Sequence, residues 1–533
     1  MKKKAMQPQR AQISQETFDE VVKENMEEFD MDLEEATRDA VQQFESQRVD
    51  LSNIIKHVTL GDDGTDDNDD GGEGAKPVSV LDQIKSAISE LSTLSKNLVD
   101  GEGADATAVV LAKLAQLQEL CDKIPEAKVV AGRNNAIDTL LEITDASAAS
   151  GTANATVLEK ASALLAFLCA DNTDNQDFVG QAGMERLANV LGKLRVTATA
   201  STDNDAESVS TSAVTRVLNL VRVACAKHES NKTHFTKAQG IDVLCEQLAL
   251  AKLDESLSKH VALVLRVLTV NDDPKATFSQ AQETIKQLVA KDLVAYIIEI
   301  VQTHGDKPEM LSVWLIVLKQ LAITEENCKK IYELQGLDLL QQVMITHEKN
   351  LTVMKRCITV FRNVAAADEL KEYIIKSGGV ERVLTGMRLH LGDPSIQQHA
   401  CATLAAIALR APENSIHIVN LGGARQIAFA MRTHRDNTGV LRQASLAIRN
   451  MVARCVELRP RILDEDIEPL LRDAQKYRGC GDEAYAALRD LGCDIQLAAF
   501  GTTSTKARFN PVNIESNQLL DRVDEAAEAP FAT

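Results

Sequence analysis

The stretch GLDLL at residues 336–340 returns as GVERV at 379–383 and as GARQI at 423–427, in steps of 43 and 44 residues. A second phrase, FRNV at 361–364, returns two periods later as IRNM at 448–451. Self-similarity with a period in the low forties, in a sequence of helical character, indicates stacked helical repeats. Each repeat buries its core against its neighbours, so the pattern favours a function in binding along an extended surface.

The composition agrees with a protein made of stacked helices. Only 3% of the 533 residues are aromatic, with a single Trp, so Leu, Val, Ile and Ala on helices must supply the core volume. The formal net charge is -20, which argues against nucleic acid as the main ligand because phosphate backbones are bound by clustered Lys and Arg. We find neither an apolar run long enough to span a bilayer nor a secretory signal after Met1, and we expect no membrane association.

The ten cysteines indicate a reducing compartment. They stand singly, form no CxxC pair, and lie mostly in apolar helical runs. Small buried thiols of this kind are typical of intracellular proteins. We therefore expect a cytoplasmic protein, with the nucleus as the alternative location.

The chain divides into five parts. Seven acids and no base in the stretch GDDGTDDNDDGGEG at 61–74 predict a disordered tether, which acts either as a spacer or as a competitor for a basic groove. Asp32 is a plausible N-cap for the second helix of an N-terminal module. The parts are the helical module at 1–60, the acidic linker at 61–76, a helical hairpin or N-terminal cap at 77–125, the repeats at 126–500, and a largely disordered tail at 501–533.

The repeats can be indexed by the first residue of the phrase. We interpret Gly379 as a helix-ending glycine in the left-handed conformation. Two of the longer steps contain polar insertions, at 197–210 and from Asn271 onward, which predict loops. The indexed residues are Ala136, Gly183, Gly240, Asp292, Gly336, Gly379, Gly423 and Asp466.

The repeated phrases resemble armadillo repeats. The resemblance covers about residues 126 to 500. HEAT repeats have a similar period, but Gly379 and Gly423 favour the armadillo type, in which a helix usually follows such a glycine. The resemblance implies an all-α fold, an armadillo-repeat right-handed superhelical solenoid with a small N-terminal helical module.

The N-terminal module resembles a narrower family. The stretches QETFD at 15–19 and ESQRVDLSNI at 45–54 are similar to the N-terminus of the armadillo repeat-containing protein 6 family, which is intracellular and eukaryotic. The resemblance implies a repeat scaffold with no assigned catalytic activity.

The sequence offers no catalytic constellation. No P-loop, GxSxG or HExxH motif occurs, and the ten His are scattered. His399 and Cys401 share a repeat helix, but a Cys-His nucleophile needs a third orienting group and a cleft. We therefore predict no catalytic residue, no metal and no cofactor.

The last helix of each armadillo repeat, by the same resemblance, lines a concave face. Importin-type repeats carry Trp and Asn four residues apart there, and the Asn holds the backbone of an extended ligand. Asn363 and Asn450 occupy the Asn position, but Thr359 stands four residues before Asn363 and the single Trp, Trp314, lies elsewhere in its repeat. The likeness to receptors for nuclear-localisation signals is therefore incomplete.

The residue directly before that Asn position is basic in most repeats, so it recurs more regularly than the Asn does. Catenin-type repeats have a similar Arg-Asn pair that faces the ligand. Equal spacing on equally oriented helices would place these side chains in one row. Arg would attract an acidic or phosphorylated segment through bidentate, charge-assisted bonds. The alternative is that Arg is simply a common helix former here, paired with Glu or Asp of the same repeat. The row reads Arg222, Arg266, Lys319, Arg362, Ala405, Arg449 and Arg489.

We therefore predict a monomeric, non-enzymatic scaffold or adaptor that binds a protein segment in a concave groove. The alternative is an importin-like cargo-binding transport adaptor, which predicts acidic pockets for basic peptides. A third hypothesis, an enzyme with its site in an insertion loop, has no motif behind it. The residues predicted to bind acidic or phosphorylated side chains are Arg222, Arg266, Lys319, Arg362 and Arg449, and those predicted to hold the backbone are Asn363 and Asn450.

Overall fold

The fold is that of a computed structural model, in which the chain forms two compact units, Met1–Gln280 and Ala281–Thr533. The described residues are helical apart from turns and connections, and they include no strand. The acidic linker, the insertion at 197–210 and the tail at 501–533 lie outside them. The structure describes residues 13, 15–29, 31–47, 49, 51, 54, 56, 80–99, 104–123, 126–149, 154–194, 211–250 and 254–493.

The described part of the first unit contains twelve helices. One of them, α8, bends at Gly180, where φ is 50° and ψ is -159°, so it serves as two helices of a repeat. In chain order the helices are α1 (Gln15–Phe29), α2 (Leu33–Ser46), α3 (Val80–Val99), α4 (Ala104–Lys123), α5 (Ala127–Arg133), α6 (Ala136–Ala149), α7 (Ala155–Cys169), α8 (Thr173–Lys193), α9 (Thr211–Cys225), α10 (Glu229–Lys237), α11 (Gly240–Leu250) and α12 (Glu255–Leu268).

The described part of the second unit contains fifteen helices and a 3-10 turn at Val456–Leu458. In chain order the helices are α13 (Ala281–Ala290), α14 (Leu293–Thr303), α15 (Pro308–Leu321), α16 (Glu325–Glu333), α17 (Gly336–Thr346), α18 (Leu351–Val364), α19 (Asp368–Lys376), α20 (Gly379–Leu389), α21 (Pro394–Ala408), α22 (Pro412–Asn420), α23 (Gly423–Thr433), α24 (Thr438–Val452), α25 (Arg459–Leu463), α26 (Ile467–Ala474) and α27 (Gly481–Leu491).

The N-terminal helices α1 and α2 enclose a small core of their own. The predicted cap is confirmed, because the Glu35 backbone N–H donates to Asp32 Oδ1 at 2.8 Å and satisfies one of the open amides of α2. Phe18 and Phe44 pack with their ring centroids 6.1 Å apart. The buried core comprises Phe18, Val22, Ala36, Ala40, Phe44, Val49, Leu51 and Ile54.

From α5 onward, the described helices form repeats of three, called here the first, second and third helix. The third helices pack side by side: α7 on α9 and α9 on α12 in the first unit, and α15, α18, α21, α24 and α27 in succession in the second. Helices α3 and α4 pack on α6 and α7 as a second and a third helix would. This hairpin is therefore a degenerate repeat that covers the first complete one.

The repeated phrase begins with a glycine because neighbouring atoms leave no room for a side chain there. Interpreting Gly379 as left-handed was wrong by one residue, because Gly378 has a φ of 86° and Gly379 begins α20. A Cβ on Gly379 would lie 2.8 Å from Ile374 Cγ2 and 2.9 Å from the Ile374 carbonyl oxygen. The glycine therefore lets the second helix start directly against the end of the first helix.

The left-handed residue that precedes each second helix gives a better index than the glycine. In the second unit these residues follow one another in steps of 43, 43, 44 and 44. Asp292 and Asp466 are left-handed themselves, so our index placed the phrase one residue too early there. The residues with positive φ directly before a second helix are Asn135, Gln239, Asp292, Gln335, Gly378, Gly422 and Asp466.

Side chains near the start of the first helices bind the carbonyl groups that end the third helices, which have no partner within their own helix. An Asn binds the end of the third helix just before it, and the following residue can reach the end of the next third helix. Gln176 Nε2, for example, donates to the Val223 carbonyl oxygen at 2.8 Å. The Asn bonds are Asn175 to Leu168 at 2.8 Å, Asn231 to Ala224 at 3.0 Å, Asn327 to Leu321 at 2.7 Å, and Asn414 to Ile407 at 3.2 Å.

Candidate protein-binding surface

The predicted cations all lie on third helices, in two sets that belong to different units. Arg222 on α9 and Arg266 on α12 form the set of the first unit. Lys319 on α15, Arg362 on α18 and Arg449 on α24 form the set of the second. The repeat period therefore identified equivalent helices, and the surroundings of each cation decide what it can bind.

Arg222 is held by a neutral side chain. Its Nε and Nη2 donate to Asn219 Oδ1 at 3.1 and 2.8 Å, so the carboxamide one turn earlier orients the guanidinium. The pKa of Arg222 is lowered, first by burial and then by the positive charge of Arg266 on the adjacent helix. Two half-buried cations thus face the same region between α9 and α12.

Arg216 extends this positive region, and the imidazole of His260 lies within it. Burial lowers the pKa of His260, and the charges of Arg222 and Arg216 lower it further, against the opposing effects of a hydrogen bond to the Ser256 carbonyl group and the charge of Asp254. We call Arg216, Arg222, His260 and Arg266 the α9–α12 basic cluster. Arg216 and His260 were not among the predicted residues, although they are 44 residues apart, as Arg222 and Arg266 are, and the repeat period could have identified them.

In the second unit, Lys319 and Arg362 are almost fully covered, with 6% and 5% of their surface exposed. Asn363 Nδ2 donates to the Lys319 carbonyl oxygen at 3.0 Å. Asn450 Nδ2 likewise donates to the Ala405 carbonyl oxygen at 2.9 Å. These asparagines thus join neighbouring third helices, and each uses one amide hydrogen to do so.

Arg449 is paired with an acid, but the acid belongs to the next repeat and not, as the alternative for the row required, to its own. Its Nε lies 3.5 Å from Asp490 Oδ2 on α27. Arg442, seven residues earlier on α24, donates from Nε to Glu483 Oε1 at 2.7 Å. Arg489, the last residue of the row, also contacts Asp490. The end of the row is therefore neutralised by carboxylates of α27.

Trp314 and the pair His399 and Cys401 are core residues. Trp314 is fully buried and packs on Tyr296, with ring centroids 5.5 Å apart. His399 is 2% exposed, and burial raises the pKa of the Cys401 thiol to about 12. A thiol with a raised pKa is a poor nucleophile at neutral pH.

The other thiols are also covered by neighbouring residues. All ten cysteines are free, and none is exposed. Burial raises the pKa of Cys121, Cys169 and Cys225 to about 12. Within the part of the chain that the structure describes, no three His, Cys, Asp or Glu side chains are grouped to hold a metal ion. No helix among those residues is long and apolar enough to cross a membrane.

Four histidines form a regular series, so describing the histidines as scattered was wrong for these four. His304, His347, His390 and His434 recur in steps of 43, 43 and 44 at the C-caps of α14, α17, α20 and α23. Three of them donate from Nε2 to a carbonyl oxygen of the preceding repeat and so join successive repeats. The bonds are His347 to Gly305 at 2.7 Å, His390 to Glu348 at 2.8 Å, and His434 to Leu391 at 2.7 Å.

Comparison with known proteins identifies relatives along most of the chain. A family model described as ARMC6 matches residues 88–509, and one described as Armadillo repeat-containing protein 6 N-terminal domain matches residues 10–74. The chain is 31% identical to Armadillo repeat-containing protein 6 of Pongo abelii, with 92% of each chain covered. It is 30% identical to the Homo sapiens protein of that name, over 76% of this chain and 75% of the relative.

Solved structures share the fold at lower identity. A crystal structure of an engineered protein has a TM-score of 0.51 at 18% identity and covers 78% of this chain and 99% of its own. A structure concerned with a phosphorylation switch that controls the interaction between cadherin and beta-catenin has a TM-score of 0.50 at 16% identity, covering 74% and 68%. These likenesses support an armadillo-type solenoid of helical repeats.

Proposed function

Because the chain belongs to the armadillo repeat-containing protein 6 family, we propose that it is a non-enzymatic scaffold that binds an acidic or phosphorylated protein segment on its third helices. The recurrence of a cation at one third-helix position carries the proposal, and the strongest instance is the adjacent pair Arg222 and Arg266. Such cations attract carboxylates and phosphates through charge-assisted hydrogen bonds. The β-catenin structure concerns a phosphorylation-controlled interaction, and we extend that kind of partner to this chain.

The seven candidate residues would contribute to partner binding in different ways. Arg222 and Arg266 offer half-buried cations on two packed helices. Arg449 would exchange Asp490 for a carboxylate of the partner. Lys319 and Arg362 would act from nearly buried positions of the second unit, and Asn363 and Asn450 keep one amide hydrogen each for a partner backbone.

The compartment and the oligomeric state belong to the same proposal. Free, mostly buried thiols are typical of a reducing compartment, so we propose that the protein is cytoplasmic, with the nucleus as the alternative location. Imaging of a tagged full-length chain tests this, and confinement to a secretory compartment would contradict it. We propose a monomer, which sedimentation equilibrium tests directly.

The first prediction separates the scaffold from an importin-like adaptor. We expect the double variant R222Q/R266Q to bind a fluorescent Asp/Glu-rich peptide about tenfold more weakly than the wild type, because two charge-assisted contacts are lost. Its affinity should also depend less on salt, since fewer opposite charges remain to be screened. Fluorescence anisotropy at two salt concentrations measures both effects.

A matched control carries the same change of charge on second helices. R425Q/R472Q removes two arginines of α23 and α26 and should bind the acidic peptide as the wild type does. A Lys-rich peptide tests the alternative. If the wild type binds the Lys-rich peptide more tightly than the acidic one, the transport adaptor is favoured and the proposal fails. Equal binding by R222Q/R266Q and the wild type would also contradict it.

A further inference from the structure

Helix α24 shows which side of a third helix stays open after its neighbours have packed. The third helices α21 and α27 flank it, and α22, α23 and α26 also pack on it. Residues three and four positions apart share one face of a helix, and one such stripe remains partly exposed along α24. The stripe consists of Arg442, Leu446 and Arg449.

The equivalent stripe of α18 is buried, although α18 is flanked in the same way. Lys355, Thr359 and Arg362 stand two repeats, or 87 residues, before the stripe of α24, and each is more than nine-tenths buried. The third helices α15 and α21 flank α18, and α16, α17, α19 and α20 also pack on it. Packing between repeats therefore does not account for the burial, since the same packing leaves the stripe of α24 open.

The burial continues onto the helices at either side of α18. Ile316 and Lys319 of α15 hold the last two stripe positions one repeat earlier, Ala402 and Ala405 of α21 hold them one repeat later, and all four are buried. The region is about 20 Å wide, because the axes of neighbouring helices lie about 8–10 Å apart. We call it the covered face, and its main residues are Ile316, Lys319, Lys355, Thr359, Arg362 and Ala402.

The covered face combines positive charge with apolar surface. Lys319, Lys355 and Arg362 all have interaction partners, yet α18 and α21 themselves contain no Asp or Glu. A buried cation is stable only beside acids or other acceptors. An acidic segment with a few apolar side chains, which would contact Ile316 and Ala402, therefore matches this face best.

Residues 511–533 have this composition and belong to the same unit. Their sequence, PVNIESNQLLDRVDEAAEAPFAT, contains five acids and one base, and the second unit extends to Thr533. Leu519, Leu520 and Val523 are spaced as on one face of a helix. The acidic linker at 61–74 matches less well, because it has no large apolar side chain and belongs to the first unit.

The length of the chain after α27 permits the contact. Three helix spacings of about 8–10 Å place α18 about 30 Å from α27. The 17 residues at 494–510 span up to about 56 Å when extended. Residues 511–533 can therefore reach α18 without any movement of the helices between.

We propose that residues 511–533 bind the covered face and occupy the place of an acidic partner segment there. The acids of the segment meet the cations of the face, and its leucines contact Ile316. A partner can bind these third helices only by displacing the segment, so the chain regulates access to its own surface. The contact goes beyond the proposed function, whereas the competition with a partner rests on it.

The first test measures how fast lysine side chains of the full chain are acetylated by an N-hydroxysuccinimide ester, with mass spectrometry as the readout. We expect D521N/D524N/E525Q to raise the rate at Lys355 about tenfold, because a covered amine reacts only while its cover is open. L519S/L520S should act in the same direction by weakening the apolar part of the contact. Lys476, whose side chain is 74% exposed, should react equally in all variants.

The acidic linker supplies the matched control. D66N/D67N/D69N removes the same number of charges from the linker and should leave Lys355 protected. A fluorescein-labelled peptide with the sequence of residues 511–533 should bind D521N/D524N/E525Q about tenfold more tightly than the wild type, whose own segment is present at a high effective concentration. A scrambled peptide should bind both equally.

The second test measures the competition, in the background R222Q/R266Q that removes the cations of the first unit. There the Asp/Glu-rich peptide should bind about tenfold more tightly when the chain also carries D521N/D524N/E525Q, because the competing segment is weakened. Fluorescence anisotropy measures this difference, and adding D66N/D67N/D69N instead should produce none.

The outcomes separate this inference from the proposed function. If Lys355 reacts at the wild-type rate in both tail variants, or if the linker variant exposes it equally, the inference is overturned. If the Asp/Glu-rich peptide binds but the tail substitutions do not change its affinity, the competition is overturned. If the tail variants expose Lys355 and no variant binds that peptide, the contact stands and the proposed function fails.

Discussion

Replacing Lys232 by Met is expected to lower the free energy of unfolding by about 3 to 5 kcal/mol, because breaking a buried ion pair leaves its carboxylates without a cation. Lys232 is 2% exposed. Its Nζ donates to the Val270 carbonyl oxygen at 2.8 Å and to Asp272 Oδ1, and it lies 3.6 Å from Glu229 Oε2. Met fills a similar volume, so the loss reports on charge and hydrogen bonds more than on packing.

The effect should spread to the connection between α12 and α13. Glu229 is part of the same network, because its backbone N–H donates to Asp273 Oδ2 at 2.9 Å and its Oε1 accepts from the Gln280 backbone N–H at 2.6 Å. Loss of Lys232 therefore loosens both ends of the insertion that begins at Asn271. Hydrogen exchange should show weaker protection in α10 and in residues 270–280, and chemical denaturation of the full chain gives the loss of stability.

Lys330 supplies the matched control. Its Nζ contacts Asp292 Oδ1 at 2.8 Å and the Val289 carbonyl oxygen at 3.4 Å. Lys330 therefore binds a carboxylate and a backbone carbonyl group, as Lys232 does. Its side chain is 32% exposed, and water can replace the lost bonds. K330M should therefore cost less than about 1 kcal/mol. Equal losses in K232M and K330M would show that burial does not set the strength of this network.

The architecture could be predicted from the sequence because the same group of helices recurs along the chain. Period, caps and apolar faces are local features, and they were sufficient to predict the helices. The resemblance to armadillo repeats then assigned every candidate cation to the last helix of its repeat. Asp393 caps α21 as the predicted cap Asp32 caps α2, since it accepts from the Ile396 backbone N–H at 2.8 Å. The candidate residues of the surface were thus found by counting along the chain.

The state of each cation was not visible in the sequence, because it depends on contacts between repeats. Asp490 lies 41 residues beyond Arg449, and nothing local indicates that the two side chains meet. Asn219, by contrast, is one turn from Arg222 and could have been recognised as its partner. A search for every residue type at the repeat period would have found the histidine series, which our attention to clusters overlooked.

The second large effect concerns Gly423, where substitution by Ala is expected to cost about 1 to 3 kcal/mol through overpacking. A Cβ would lie 2.4 Å from Ile418 Cγ2 and 2.8 Å from the Ile418 carbonyl oxygen. The side chain could rotate away, but the carbonyl group belongs to the backbone that ends α22. The strain therefore has to push the first and second helices apart, against the usual gain of Ala over Gly inside a helix.

Substitution of Gly422, directly before Gly423, separates the effect of backbone conformation from the effect of steric crowding. Its φ is 83°, and no atom lies within 4 Å of a Cβ built there. Asn tolerates the left-handed region better than most residues, and Asn135 and Asp466 hold the equivalent position in other repeats. G422N should therefore cost less than about 1 kcal/mol, while G423A weakens hydrogen-exchange protection of α22 and α23. A larger loss in G422N than in G423A would mean that backbone conformation, and not the close approach of two helices, fixes the glycine of the repeated phrase.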